Sequence, residues 1–406
     1  MKKILYFSLI ICLMSCQSER LDMNSEAFTI QKSSSTAANK QTETVVIRFT
    51  EGLSITEKAA IRASYGVVAY ETCSCGDKNL ESWDLEDIYE GATIEERVSS
   101  MEQDPVMEGA DFNFNINISS QVPTVAAATT IHYQQILSKI HSQKADVCIG
   151  VLDTGIDPSY FGFQQPFLHN SSSDEENCDG DFFGWNFVDN NHMPIDDNGH
   201  GTIVSYLAYQ QLENTGTNFE ILPAKAFDAT GNGSLFNVGC GLSYLIKKDV
   251  NIINMSFGWT ETASTIIGDY IKEVEQRILI VTSAGNTGAN NDVVAHYPSS
   301  YTTRNILAVT AVNNATPPNL VVSLSNYGQV SVDIAVKGVG LPFYTMPDAA
   351  PISITGSSYS SAKATGFAAS KYHASMELSV FYDKILIDKI QSDGLHQIKY
   401  ASYLDL

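Results

Sequence analysis

Four apolar runs constrain this chain more than any other feature. Val147-Cys148-Ile149-Gly150-Val151-Leu152 is continuous in the way of a parallel strand buried on both faces, and Ile221 to Phe227, Val250 to Met255 and Ile278 to Thr282 repeat the pattern. A short amphipathic helix over Ile131 to Ile140 precedes them, and helical stretches at Gly201 to Tyr209, Phe236 to Lys247 and Thr262 to Gln276 separate them. Strand and helix in alternation imply an α/β fold, a doubly wound and mostly parallel sheet. Ligands and reacting groups gather at the C-terminal ends of such strands, where Asp153 falls.

What comes before is of another kind. Lys2 and Lys3 precede an apolar run from Ile4 to Met14 that suits a secretory signal of residues 1–15 and is too short to span a bilayer. Leu13-Met14-Ser15-Cys16 resembles a bacterial lipobox, with Cys16 as the lipidated residue and Met14 bulkier than usual. The expectation is an exported protein anchored at the cell envelope, with release to the periplasm or medium as the alternative. Residues 16–41 are polar and without periodicity, as a surface tether would be. Residues 42–120 read as a small α+β domain. Strands at Val45 to Phe49, Val67 to Tyr70, Leu80 to Leu85 and Phe112 to Ile118 are interleaved with helices opened by the capping boxes Ser54/Glu57 and Thr93/Glu96. The order βαββαβ is a split βαβ sandwich. By pattern alone it could be an independent binding module. Residues 121–406 form the larger domain.

The formal charge of −22, from 24 Lys+Arg against 46 Asp+Glu, argues against a nucleic-acid partner. Of seven cysteines, Cys12 leaves with the signal and Cys16 carries lipid; Cys73, Cys75, Cys148, Cys178 and Cys240 remain. An odd remainder without Cys-x-x-Cys pairs does not suggest a metal site. Cys148, inside a strand, reads as a buried free thiol, and a bridge among the others stays open. The acidic loop Asp174, Glu175, Glu176, Asp179 and Asp181 could hold a structural calcium, but it matches no defined loop and suits a solvated charge run as well.

Chemistry concentrates in four places. Asp153 ends a strand, His200 sits between glycines at a helix start, Asn286 follows Ser283-Ala284-Gly285, and a serine-rich turn runs from Gly356 to Ala362. Each alone has an ordinary structural reading. Together they provide a serine nucleophile, an imidazole to remove its proton, a carboxylate to fix the imidazole tautomer and an amide for the developing oxyanion. An aspartic-protease reading of Asp153-Thr154-Gly155 leaves the other three unexplained.

Residues from about Asp146 to Ser392 resemble a subtilisin-type serine protease of the subtilase family, peptidase S8: Val-Leu-Asp-Thr-Gly-Ile-Asp, Asn-Gly-His-Gly-Thr, Ile-Asn-Met-Ser-Phe-Gly, Ser-Ala-Gly-Asn and Gly-Ser-Ser occur in the family order. The resemblance implies a serine endopeptidase acting on peptides or proteins, in which Asp153 orients His200, His200 is general base and acid, Ser358 attacks, and Asn286 with the Ser358 N–H forms the oxyanion hole. It implies an S1 pocket walled by Ser256, Phe257, Gly258 and Ser283, Ala284, Gly285, and an edge strand at Gly233 and Ser234. It implies no cofactor for the chemistry. The first domain resembles the family's inhibitor-type propeptide, so a zymogen cleaving itself between Ile118 and Thr130 is expected. The catalytic part would then leave a lipid anchor unless the pieces stay associated. Ser357, Tyr359, Ala362-Lys363 and Ile203 depart from the family pattern without removing a proton-transfer group, and Gly356 aligns Ser358 rather than Ser357 as nucleophile. A catalytically silent subtilase fold acting as a surface binding module is the alternative.

Overall fold

The computed structural model describes residues 39–406 apart from 87–88, 119–132, 172–173, 175–177, 179, 261 and 321–323. The readings of Cys16, of the signal and of most of the tether fall outside these residues, as does the expected cleavage segment beyond Ile118.

The N-terminal part runs β1 (Asn39–Phe49), α1 (Ile55–Ser64), β2 (Val67–Thr72), β3 (Leu80–Leu85), α2 (Ile94–Met101) and β4 (Met107–Asn117). Both helices open on the capping boxes read from the sequence. The first strand starts at Asn39, inside the stretch assigned to the tether. The strands form an antiparallel sheet in the order β2-β3-β1-β4. Its core is Val45, Ile47, Phe49 and Trp83 under Ile94, Val98 and Met101.

The larger part continues with α3 (Tyr133–Leu137), β5 (Val147–Asp153), β6 (Trp185–Asn186), α4 (His200–Gln210), β7 (Phe219–Lys225), β8 (Asn232–Ser234) and α5 (Leu235–Lys247). Then come β9 (Ile252–Met255), β10 (Trp259–Thr260), α6 (Thr265–Glu273), β11 (Leu279–Ser283), β12 (His296–Tyr297), β13 (Ile306–Val312) and β14 (Ile334–Lys337). The chain ends with β15 (Leu341–Phe343), β16 (Ile352–Ile354), α7 (Ser357–Lys371), α8 (Leu378–Leu386), β17 (Ile390–Gln391) and β18 (Ser402–Leu404). The main sheet has the order β17-β18-β14-β13-β11-β9-β5-β7-β6, parallel except at its β17 edge. Every residue of β5 is buried because both sheet faces are covered. Cys148 and Leu152 face the α5/α6 layer, while Val147, Ile149 and Val151 face α4 and α7, the period of two that a pleated strand imposes.

Near the C-terminus Phe381, Ile385, Leu386 and Ile390 recur at helical spacing and predict one further helix from Leu378 to Gln391. The helix stops at Leu386, and Ile390 pairs with Tyr403 in the edge strand, where its side chain is exposed. Phe381, Ile385 and Leu386 do pack in the core. Unpaired backbone groups on β18 competed with the last helical turn, and nothing in the side-chain pattern announces that competition.

The two parts are joined more firmly than the sequence foretold. Strand β4 continues onto β8, with Asn115, Ile116 and Asn117 opposite Ser234, Gly233 and Asn232. Asp111 caps α6, its carboxylate accepting from Ser264 Oγ (2.8 Å), Ile266 N (3.0 Å) and Thr265 N (3.1 Å). Arg48 pairs with Asp77 and with Glu273 of α6. Two disulfides cross the same interface, Cys73–Cys240 and Cys75–Cys178. Cys148 is the free and buried thiol among the described cysteines. A protease cut inside residues 119–132 is therefore expected to leave one band on a denaturing gel without reductant and two with it; two bands in both lanes contradict this pairing.

Candidate active site

Strand β5 delivers Asp153 to the C-terminal end of the sheet, and α4 begins at His200 beside it. Asp153 Oδ1 lies 2.7 Å from His200 Nδ1, and both side chains are fully buried. Oδ1 also accepts the Thr154 N–H at 2.7 Å. A carboxylate against Nδ1 fixes the proton there and leaves Nε2 as the lone-pair nitrogen. Nε2 has no hydrogen-bond partner among the described residues.

The pair is held by a lock between its two loops, which the sequence reading passed over. Asp196, 4% exposed, accepts through Oδ1 from Thr154 Oγ1 (2.8 Å), Gly199 N (2.7 Å) and Asn198 N (3.0 Å), and through Oδ2 from Thr202 N (2.8 Å) and Thr202 Oγ1 (2.6 Å). Gly201 N donates to Thr154 Oγ1 at 2.8 Å. The loops touch backbone to backbone: a Cβ on Gly201 would lie 2.2 Å from the Gly155 carbonyl, and Gly155 itself has φ +108°. In the sequence Asp196 is one more polar residue before Asn198-Gly199, and nothing there signals its burial.

Ser358 is the second residue of α7, whose N-cap is Gly356. Its hydroxyl donates to the Ser256 carbonyl at 2.8 Å. The Ser256 hydroxyl reaches Asn254 Oδ1 at 2.7 Å, and Asn254 Nδ2 donates to Thr365 Oγ1 at 2.9 Å, so α7 is tied along its small face to β9. Gly366 lets the helix cross α4 closely, since a Cβ there would be 2.1 Å from the Ala208 carbonyl. Asn286 Oδ1 accepts from Ser357 N (2.7 Å) and Ser357 Oγ (3.0 Å), which turns its Nδ2 donor the other way. Serine at 357 thus clamps the amide. Tyr359 is buried with its ring 5.9 Å from that of His200, and Ile203 lies in the core.

The expected pocket walls are strand ends. Ser256-Phe257-Gly258 leaves β9 and Ser283-Ala284-Gly285 leaves β11, which are neighbours in the sheet. The Phe257 ring is buried against Phe227, with centroids 4.7 Å apart. Gly233 and Ser234, the expected peptide-binding edge, accept a strand here, and it is the chain's own β4.

The family of the chain follows from its likeness to known proteins. Residues 144–380 match the family model described as Subtilase family. The chain belongs to the subtilase family. It is similar to the Thermophilic serine proteinase of Bacillus sp. strain AK1, 26% identical over 309 residues, covering 73% of this chain and 70% of that protein. It is likewise similar to the Thermostable alkaline protease of Halalkalibacterium halodurans, 28% identical over 303 residues and covering 71% and 75%. The crystal structure of a cold adapted subtilisin-like serine proteinase superposes with a TM-score of 0.50 at 19% identity, over 64% of this chain and 88% of that one, a likeness of fold.

At the other end of the sheet Cys148, His169 and Glu220 form the one group of potential metal ligands among the described residues, lining a cavity of about 620 Å³. His169 lies between Glu220 (2.9 Å) and Asp174 (3.0 Å). Burial alone would lower its pKa, but the hydrogen bonds its ring makes to Asp174, Cys148 and Glu220 outweigh that and raise it to about 12. An imidazolium satisfied on both nitrogens is an ion-pair hub, and no metal is assigned there. Of the acidic loop, Asp174 and Asp181 are taken by Lys248 at 2.6 and 2.9 Å, and Glu175, Glu176 and Asp179 lie outside the described residues.

Asp196→Ala removes the acceptor for a set of buried donors. It is expected to cost about 3 kcal/mol in urea-denaturation stability. Arg277→Ala, whose pair with Asp249 is exposed on both sides, is expected to cost less than about 1 kcal/mol.

Proposed function

We propose that this chain is a serine endopeptidase working through Asp153, His200 and Ser358, made as a zymogen and lipid-anchored outside the cytoplasm. The carrying observation is the 2.7 Å bond from Asp153 to His200, with Nε2 buried and unpartnered among the described residues and the ring 5.9 Å from that of Tyr359 in the first turn of α7. In this reading the Ser358 hydroxyl turns from the Ser256 carbonyl to Nε2, gives up its proton and attacks the scissile carbonyl carbon. The tetrahedral oxyanion receives Asn286 Nδ2 and the Ser358 N–H, which as a first-turn amide has no intrahelical acceptor. His200 passes the proton to the leaving amine, leaving an acyl ester on Ser358. It then takes a proton from the water that attacks the ester, and returns it to Ser358 Oγ as the acid product leaves.

An inhibitor role for residues 42–120 is supported by β4, which occupies the edge an extended substrate would use. Disulfides across the interface suit an oxidising compartment, as does the proposed lipidation of Cys16. They also revise the expected release: after autocleavage the inhibitor stays linked, and the catalytic part keeps its anchor. Among the described residues no helix is long and apolar enough to cross a membrane.

On a reducing gel the wild type is expected to lose the N-terminal domain and Ser358→Ala to remain full length; two identical full-length bands contradict the zymogen. In peptide hydrolysis, Asn286→Ala is expected to lower kcat by about 10²–10³ with little change in KM.

A further inference from the structure

On the endopeptidase reading above, the floor of the S1 slot is an imidazole. His296 begins β12, which pairs with β10 so that Thr260 stands opposite it. This places the ring between the two glycines that end the pocket walls. A Cβ on Gly258 would lie 2.2 Å from His296 Cε1 and 2.6 Å from Nε2, and a Cβ on Gly285 would lie 2.9 Å from Nε2. No larger residue than glycine fits either wall while the ring is there. His296 is 8% exposed and held from behind: its backbone N–H donates to Ser300 Oγ at 3.0 Å, and Nδ1 lies 3.2 Å from Ser299 Oγ.

The tautomer follows from proton counting. Ser299 Oγ donates its one hydrogen to the His296 carbonyl at 2.6 Å, so it can only accept from Nδ1. Nδ1 therefore carries the imidazole proton, and Nε2 presents a lone pair toward the glycines. Burial depresses the ring's pKa to about 4, so it is neutral at pH 7. Nε2 has no hydrogen-bond partner among the described residues.

We propose that His296 determines specificity at S1, selecting a P1 side chain that brings a hydrogen to Nε2. Glutamine fits by its amide N–H. Glutamic acid fits when its carboxyl delivers its proton to the site. An apolar side chain of the same length would seal a buried acceptor without a partner, which a site built to hydrogen-bond its substrate penalises. This rests on the endopeptidase reading above and names the substrate class that reading leaves open.

The test uses processed wild-type protein, His296→Leu and His296→Gln, with peptides identical except for Gln, Glu or Met at P1. Wild type is expected to cleave the Gln or the Glu peptide with kcat/KM at least about tenfold above the Met peptide. His296→Leu brings that ratio within about threefold of unity, and His296→Gln, which keeps an acceptor, retains the preference. Met equal to or better than both polar residues in wild type, or a profile unchanged in His296→Leu, overturns the proposal. Labelling of all three proteins by a fluorophosphonate separates the two claims. Labelling with the wrong P1 profile defeats the role of His296 alone, and absence of labelling in wild type defeats the endopeptidase reading with it.

Discussion

The bond between Asp153 and His200 depends on a carboxylate that touches neither substrate nor proton. Asp196 gathers donors from the Asp153 loop and from the first turn of α4, and in doing so fixes the distance between two residues 47 positions apart. A buried carboxylate is tolerated only when its lone pairs are filled, so the loop sequences are tied to one another as tightly as the ring is tied to Asp153. The sheet supplies the rest. Parallel strands β9 and β11 end side by side, and α7 packs across them closely enough to set Ser358 against Ser256 and Asn286 against Ser357.

Most of this arrangement was legible in the residues. The buried runs became β5, β7, β9 and β11, and the capping boxes opened α1 and α2, because both signals are local and physically overdetermined. The strand Ile306–Val312 was not singled out, although all its residues are buried, and the C-terminal helix was read too long. Both depend on what an edge or neighbour offers, which a single stretch does not record. In the site, residue types and order pointed to Asp153, His200, Asn286 and Ser358. The Asp196 lock and the His296 floor stayed hidden because their meaning is burial and approach, and both residues look like ordinary loop positions.

The cysteines show the same limit. Their number left pairing open, and only the fold brings Cys73 to Cys240 and Cys75 to Cys178, across 167 and 103 residues. Their effect is to make the N-terminal sheet a lasting part of the molecule. In the proposed zymogen an inhibitor that is strand-paired, helix-capping and covalently linked would act at a fixed high effective concentration, so a cut in the connecting segment need not open the cleft. Cleavage and activation would then be separable events.

The central claim is that Ser358 carries the acyl group. Mixing the processed protein with a slowly deacylating ester, quenching in acid and mapping the adduct by mass spectrometry tests it directly. An acyl group on the peptide containing Ser357 and Ser358, lost in Ser358→Ala and kept in Ser357→Ala, is the predicted result. Peptide turnover with no acyl adduct, or an adduct that survives Ser358→Ala, contradicts the account.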